Sequence, residues 1–202
     1  MHLESSRDAQ RKQFFNDGAH GWTDRNYSRA KLQKLETMLA GLALSQGMTL
    51  VDVGCGQGVL LPFLRLAVGE SGTLIALDPS PEMLASVPER DARAVPLLAR
   101  AEHIPLPAAY ADMILCFSAF PHIGDKKAAA REFYRVLKPG GQAYVLHIDG
   151  REKLNTLHDQ HHAVQGDHLP CPQGMRHIFG AAGFNAMTVD DAPDHYYFFT
   201  QK

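Results

Sequence analysis

The stretch Leu50-Val51-Asp52-Val53-Gly54-Cys55-Gly56-Gln57-Gly58 constrains the fold of this chain more than any other. A short apolar run of strand composition ends on a glycine cluster, and a second run, Val59-Leu60-Leu61-Pro62-Phe63-Leu64, follows at once. Pro62 falls in the first turn of the helix expected there, where a missing N–H is tolerated. Glycine suits the turn because it adopts positive φ and lets a ligand approach the backbone with no Cβ in the way. Strand, glycine turn and helix start form the first half of a nucleotide-binding βα unit. In such a unit the unpaired N–H groups of the helix N-terminus face something anionic.

The glycine spacing is G-x-G-x-G, neither the dinucleotide G-x-G-x-x-G nor the phosphate loop, and no Lys-Ser or Lys-Thr follows. A triphosphate cradle is therefore disfavoured. Asp78, 20 positions beyond Gly58, closes another apolar run, Thr73-Leu74-Ile75-Ala76-Leu77. A carboxylate at the tip of a second strand can accept hydrogen bonds from both ribose hydroxyls of an adenosine. The competing role is a helix N-cap, for which Ser80 is a rival.

A chain of 202 residues suits one domain, 1–202, with 1–46 as a helical segment ahead of a core over 47–202. Its 45% hydrophobic and 21% charged content are those of a soluble globular protein. A net charge of −2 disfavours a general nucleic-acid surface, so no nucleic-acid partner is expected. Cys55, Cys116 and Cys171 are few and far apart, which implies reduced thiols and a cytoplasmic home. No run approaches the ~18 apolar residues that cross a bilayer. The opening residues have no apolar core for a signal peptide, and no membrane partner is expected.

Within 1–46, Phe14-Phe15 and Trp22 interrupt a polar segment, and Leu32, Leu35, Met38, Leu39 and Leu42 recur at helical spacing from Ser28, with Gly47 closing the helix. Beyond Asp78 the pattern gives a short helix at Pro81-Glu82-Met83-Leu84, a third strand over 94–99 and a fourth over 111–117. Ser118-Ala119-Phe120-Pro121-His122-Ile123 then leaves the sheet at its carboxyl edge, where ligands sit in open α/β sheets. Asp125 caps a helix that Leu137-Lys138-Pro139-Gly140-Gly141 stops. A fifth strand over 142–148, helices over 151–165 and 172–182, and strands over 185–189 and 195–200 complete the chain.

Val-Asp-Val-Gly-Cys-Gly-Gln-Gly resembles motif I of the class I S-adenosylmethionine-dependent methyltransferases, and Leu-Lys-Pro-Gly-Gly before a fifth strand resembles the same family. The matching signatures run over about 50–148. The resemblance implies a Rossmann-like α/β fold: a mostly parallel seven-stranded sheet, helices on both faces and a C-terminal antiparallel hairpin. It implies S-adenosyl-L-methionine as cofactor, with contacts from Asp52, Gly54, Cys55, Gly56, Gly58, Asp78, Pro79, Met83, Ala101, Glu102 and Phe117. It also implies that 1–46 covers the site as a lid. Arg100 departs from the family, which carries an acidic residue there. A guanidinium cannot accept from the adenine amine, so that task falls to the Ala101 backbone or the Glu102 carboxylate.

The acceptor is read by elimination as a small molecule. Ser118-Ala119-Phe120-Pro121 stands where amino-methylating enzymes for DNA and glutamine carry Asn/Asp-Pro-Pro-aromatic, and arsenite methylation needs more cysteines. The alternatives are a non-catalytic S-adenosylmethionine-binding or regulatory protein, and a nicotinamide-dependent oxidoreductase that the glycine spacing disfavours. The 11 histidines supply the catalytic candidates. Turning at about 100° per residue, a helix over 151–165 sets Leu154, Leu157, His161 and Val164 on one stripe and Arg151, Asn155, His158 and His162 beside it. His122 and His147 stand at the carboxyl edge. His122, His147 and His158 are therefore candidates for base or orienting groups, since imidazole with its ordinary pKa of ~6.5 is largely neutral at pH 7. His158 and His162 have the spacing of a helical metal pair without the zincin glutamate. A divalent metal is optional on this reading, and no metal ligand is assigned.

Overall fold

In the computed structural model, which describes residues 6–202, three helices precede the sheet: α1 (Ser6–Gly18), α2 (Trp22–Asn26) and α3 (Arg29–Ala40). The reading of the opening residues falls partly on 1–5, which lie outside the described residues. The core then runs β1 (Thr49–Val53), α4 (Leu61–Val68), β2 (Thr73–Asp78), α5 (Pro81–Leu84), α6 (Val87–Arg90), β3 (Val95–Leu98) and β4 (Ala111–Phe117). It continues with α7 (Lys126–Val136), β5 (Leu137–His147), α8 (Arg151–Asp159), α9 (Pro172–Gly180), β6 (Ala186–Asp191) and β7 (Tyr196–Gln201). Single 3-10 turns occupy Phe120–His122 and His162–Val164.

The seven strands form one sheet in the order β3-β2-β1-β4-β5-β7-β6. β1 to β5 are mutually parallel, and β7 runs antiparallel to both β5 and β6. The doubly wound, Rossmann-like architecture with its closing antiparallel hairpin is thus present. Side chains alternate across the pleat. Val51, Val53, Ile75, Leu77, Ile114, Cys116, Ala143 and Val145 join one core with Phe133 of α7 and Phe179 of α9. Leu50, Leu74, Ala76, Met113, Leu115, Tyr144 and Leu146 join the other with Leu35 and Leu39 of α3 and Leu61 and Leu64 of α4. Strands buried on both faces read as continuous apolar runs, as β1, β2 and β4 do. β3 is an edge strand, and its Val95 and Leu98 are exposed.

Three boundaries differ from the sequence expectation by more than two residues. The helix begun at Ser28, whose hydroxyl accepts from Lys31 N, stops at Ala40 with Gly41 as its C-cap, well before Gly47. β5 starts at Leu137 because Leu137 pairs with Ala111, and the irregular register over Ala111–Met113 absorbs the Pro-Gly-Gly stretch. The helix expected over 151–165 ends at Asp159. Gln160 N bonds back to Leu157 O in a tighter turn, and Asp159 Oδ1 accepts from Gly166 N, so the chain folds back on itself. His162 therefore sits in a separate 3-10 turn, and the proposed i,i+4 pair of His158 and His162 on one helix does not exist.

Because β1, β2, β4 and β5 are parallel, their carboxyl ends put Gly54, Asp78, Ser118 and His147 along one edge of the sheet. α1 and α2 lie over this edge. Phe14, Phe15 and Trp22 form an edge-to-face cluster with centroids 5.3–6.3 Å apart, and Phe15 packs against His122 at 5.0 Å. Thr23 N and Oγ1 both donate to Gln57 Oε1 at 2.9 and 3.0 Å, which ties α2 to the glycine turn. No described helix is long and apolar enough to cross a membrane.

Candidate cofactor and acceptor site

The glycine turn is shaped by its own backbone. Gly54, Gly56 and Gly58 have φ of 71°, 52° and 77°, the region that L side chains rarely adopt. A Cβ on Gly54 would stand 2.3 Å from Ala119 Cβ, so the turn can lie against the loop after β4 only without one. Gly54 N and Cys55 N both donate to Leu77 O, pinning the turn to the end of β2. A Cβ on Gly56 would meet only Met83 Sδ at 3.9 Å, so the backbone there faces open space.

Asp78 closes the turn from the side. Its Oδ2 accepts from Gly56 N and its Oδ1 from Ser80 N, both at 2.9 Å. Ser80 takes the N-cap role on α5 by accepting from Met83 N, so Asp78 does not. A carboxylate has about four lone-pair sites, so each Asp78 oxygen keeps one for a ligand. Burial pushes Asp78 up to about 6, while the two backbone donors pull it down. Asp52, deeper in β1, is pushed up to about 8 by burial and then by the Asp78 charge, and its Oδ2 has no partner. Such an orphaned acceptor is costly and marks a place for a donor. Tyr27 lines the same cavity, packs on Phe117 at 6.0 Å, and is itself pushed up to about 12 by burial.

One cavity joins this turn to the covering helices. Ten of the eleven residues expected to contact the cofactor line it, together with His122, Phe15, Trp22, Arg11 and Lys12. Gly58 does not, and a Cβ there would meet Leu61 at 2.6 Å. Glu102 Oε1 is occupied, accepting from Gly124 N and Asp125 N at 3.0 and 3.2 Å and pairing with Arg100. Arg100 also pairs with Asp8 of α1 at 3.1 Å. Arg100 thus binds the N-terminal helix to the loop after β3 at the cavity wall.

His122 and His158 meet with ring centroids 4.8 Å apart, and His147 is buried behind them beside Tyr196 at 6.3 Å. His122 lines the cavity; His147 and His158 do not reach its surface. Burial drives His147 down to about 3, and its Nε2 has no partner. The residue that holds the rings is Asp167, which the sequence reading did not single out. Its Oδ2 meets His122 Nδ1 at 2.9 Å, and its backbone oxygen meets His158 Nδ1 at 2.6 Å. Arg11 of α1 clasps the same carboxylate with Nε to Oδ2 and Nη2 to Oδ1, both 2.7 Å, and donates to Asp8 at 2.8 Å. Burial alone would raise Asp167; the donors His122 and Arg11 hold it well below the usual carboxylate range. No group of three or more His, Cys, Asp or Glu among the described residues is arranged to hold a metal ion.

Residues 51–145 match the protein family described as a methyltransferase domain. The chain is 30% identical over 150 residues to the ubiquinone biosynthesis O-methyltransferase of Pseudomonas putida, covering 69% of this chain and 62% of that protein. It is 35% identical over 121 residues to the ubiquinone/menaquinone biosynthesis C-methyltransferase UbiE of Vibrio cholerae, covering 56% and 46%. The match thus spans only about half to two thirds of those relatives' length. In fold it is similar to Haemonchus contortus phosphoethanolamine N-methyltransferase 2 in complex with phosphomonomethylethanolamine and S-adenosylhomocysteine. That likeness has a TM-score of 0.74 at 17% identity, over 98% of this chain and 60% of the other. The methyltransferase-domain match thus falls on a sheet whose first strand ends in the G-x-G-x-G turn and whose second ends in Asp78, and residues 51–145 belong to that methyltransferase-domain family.

Proposed function

We propose that this chain transfers the methyl group of S-adenosylmethionine to a small-molecule acceptor held between His122 and the aromatic side chains of α1 and α2. The observation that carries this reading is the continuous cavity running from the glycine turn and Asp78 to His122, Phe15 and Trp22. The residues present fit the cofactor. Gly56 offers bare backbone to it, Asp78 keeps acceptor capacity for a ribose diol, and the orphaned Asp52 Oδ2 suits the ammonium of its amino-acid end. Gly54, Cys55, Pro79, Met83, Ala101 and Phe117 give the surrounding contact surface, and Gly58 shapes the turn from behind it. Glu102, its Oε1 already engaged, works mainly by fixing the loop before α7.

When bound, the cofactor supplies an electrophilic methyl carbon on a sulfonium. The protein's task is then to orient the acceptor and exclude water, so that positioning supplies much of the rate. α1 and α2 act as the cover, with Phe14, Phe15 and Trp22 shielding the acceptor end and Thr23 latching onto Gln57. His122 is the base or orienting group at the cavity wall; His147 and His158 back it from behind. The relatives named for ubiquinone biosynthesis support a small organic acceptor.

Calorimetry with S-adenosylmethionine and S-adenosylhomocysteine tests the first half of the proposal, and methyl-labelled cofactor with a small-molecule extract tests the second. Binding of both ligands and label in an extractable product are expected. Absence of binding would defeat the reading. Binding without transfer would favour the non-catalytic alternative.

A further inference from the structure

The Asp167 cluster has a chemistry of its own, set by which atoms can donate. Asp167 is held as a carboxylate, so His122 Nδ1 must carry the proton between them. A carbonyl oxygen only accepts, so His158 Nδ1 is protonated as well. In the neutral rings the remaining lone pair then sits on Nε2. For His122, which lines the cavity, Nε2 has no hydrogen-bond partner among the described residues.

We infer that Asp167 is a positioning residue that fixes His122 as the Nδ1–H tautomer with Nε2 bare. Arg11 of α1 holds that carboxylate in place, so that the base is complete only while α1 is docked. This rests on the proposed methyltransferase reading and deepens it. A bare imidazole nitrogen serves an acceptor whose reacting atom carries a proton, such as a hydroxyl. The hydroxyl proton passes to His122 Nε2 as the oxygen bonds to the methyl carbon and the carbon–sulfur electron pair stays on sulfur. The resulting imidazolium is balanced by the Asp167 charge.

The charged and titratable groups facing this site are Arg7 and Arg11 from α1, Lys126 from α7, His147 from β5, His158 from α8 and Asp167 itself. Burial, His158 and Arg11 push His122 below its ordinary value; Asp167 pushes it up. The two ends of the clasp therefore have opposite signs. Removing the Asp167 charge must lower the His122 midpoint, and removing Arg11 must raise it.

The test is nitrogen NMR of histidine-labelled protein with S-adenosylhomocysteine present, titrated in the native chain, Asp167→Asn and Arg11→Gln. Native His122 is expected as the Nδ1–H tautomer. Its midpoint should fall by about one pH unit or more in Asp167→Asn and move upward in Arg11→Gln. A native Nε2–H tautomer, or a midpoint indifferent to both substitutions, would overturn the inference. Each variant is first checked by thermal melting, and the two opposite shifts cannot both come from a general loosening. S-adenosylhomocysteine binding by calorimetry separates the two failures: without it the methyltransferase reading falls, and with it an indifferent His122 sinks only the Asp167 assignment.

Discussion

At one end of the cavity the surface is backbone, made by neighbours in sequence; at the other it is side chains brought together from distant segments. Gly54, Gly56 and Gly58 take their shape from φ and from carbonyls next door. Arg11, His122, His158 and Asp167 come from α1, the loop after β4, α8 and the turn beyond it, with Arg11 and Asp167 separated by 156 positions. The first kind of surface tolerates few residue types and few conformations. The second is held by charge pairs that can be exchanged one for another, which suits the acceptor-holding role proposed for that end of the cavity.

The contrast is broken most severely by Gly54→Ala. The added methyl meets Ala119 Cβ at 2.3 Å in a left-handed backbone, so the cost is about 3 kcal/mol or more. Thermal melting should fall sharply and cofactor binding should vanish. Asp78→Asn comes next. It keeps the shape but weakens S-adenosylhomocysteine binding by about 2 kcal/mol, the scale of a charge-assisted hydrogen bond, as calorimetry would show. Equal affinity in that variant would mean that the ribose is not held there.

His147 sharpens the other side of the comparison. Its folded value of about 3 lies below its ordinary 6.5, so the folded chain resists protonation that the unfolded chain accepts. Stability is therefore full above about pH 6.5 and is lost as pH falls towards 3, by at most about 1.4 kcal/mol per pH unit. His147→Gln should flatten that acid limb in denaturant melts. Asp52 and Asp78 run the opposite way. Both lie above the ordinary 3.8, so as the pH rises each loses the stability it gives when protonated. A ligand that donates to them needs the ionised forms, so cofactor affinity should rise between about pH 6 and 8 and level off above. Proton release at pH 7, seen by calorimetry in buffers of different ionisation enthalpy, checks this. The smallest effect belongs to Thr23→Val, which removes one hydroxyl donor to Gln57 for about 1 kcal/mol. Faster hydrogen exchange in α2 with unchanged exchange in the sheet would report it.

The same division governs what can be read without coordinates. The glycine spacing, Asp78 and the Asp125 cap are local, and each is where its residue type implies, with Asp125 Oδ1 accepting from Ala128 N. Asp167 left no local trace in Gln165-Gly166-Asp167-His168, because its partners arrive from α1 and the loop after β4. Leu154, Leu157 and Val164 keep helical spacing across a real break, so periodicity carries the expected helix to 165, past its end at Asp159. Val164 is buried, but from the 3-10 turn. What ends α8 is the Asp159 carboxylate reaching forward to Gly166 N, an event that apolar periodicity does not register. In the sequence alone, Arg100 only departs from the acidic residue that the resemblance implies there. Its partners Asp8 and Glu102 explain the exchange only once α1 is in place.

β7 lies between β5 and β6, antiparallel to both, although it follows both in the chain. During synthesis β6 leaves the ribosome with no strand to pair with, and β5 waits as an open edge. This end of the sheet can therefore close only when residues 196–201 arrive and slot in as the penultimate strand. Pairings of such long sequence separation form slowly. An open β5 edge in the meantime presents a template to other nascent chains. Yield at high expression temperature should accordingly depend on how quickly that ribbon is delivered.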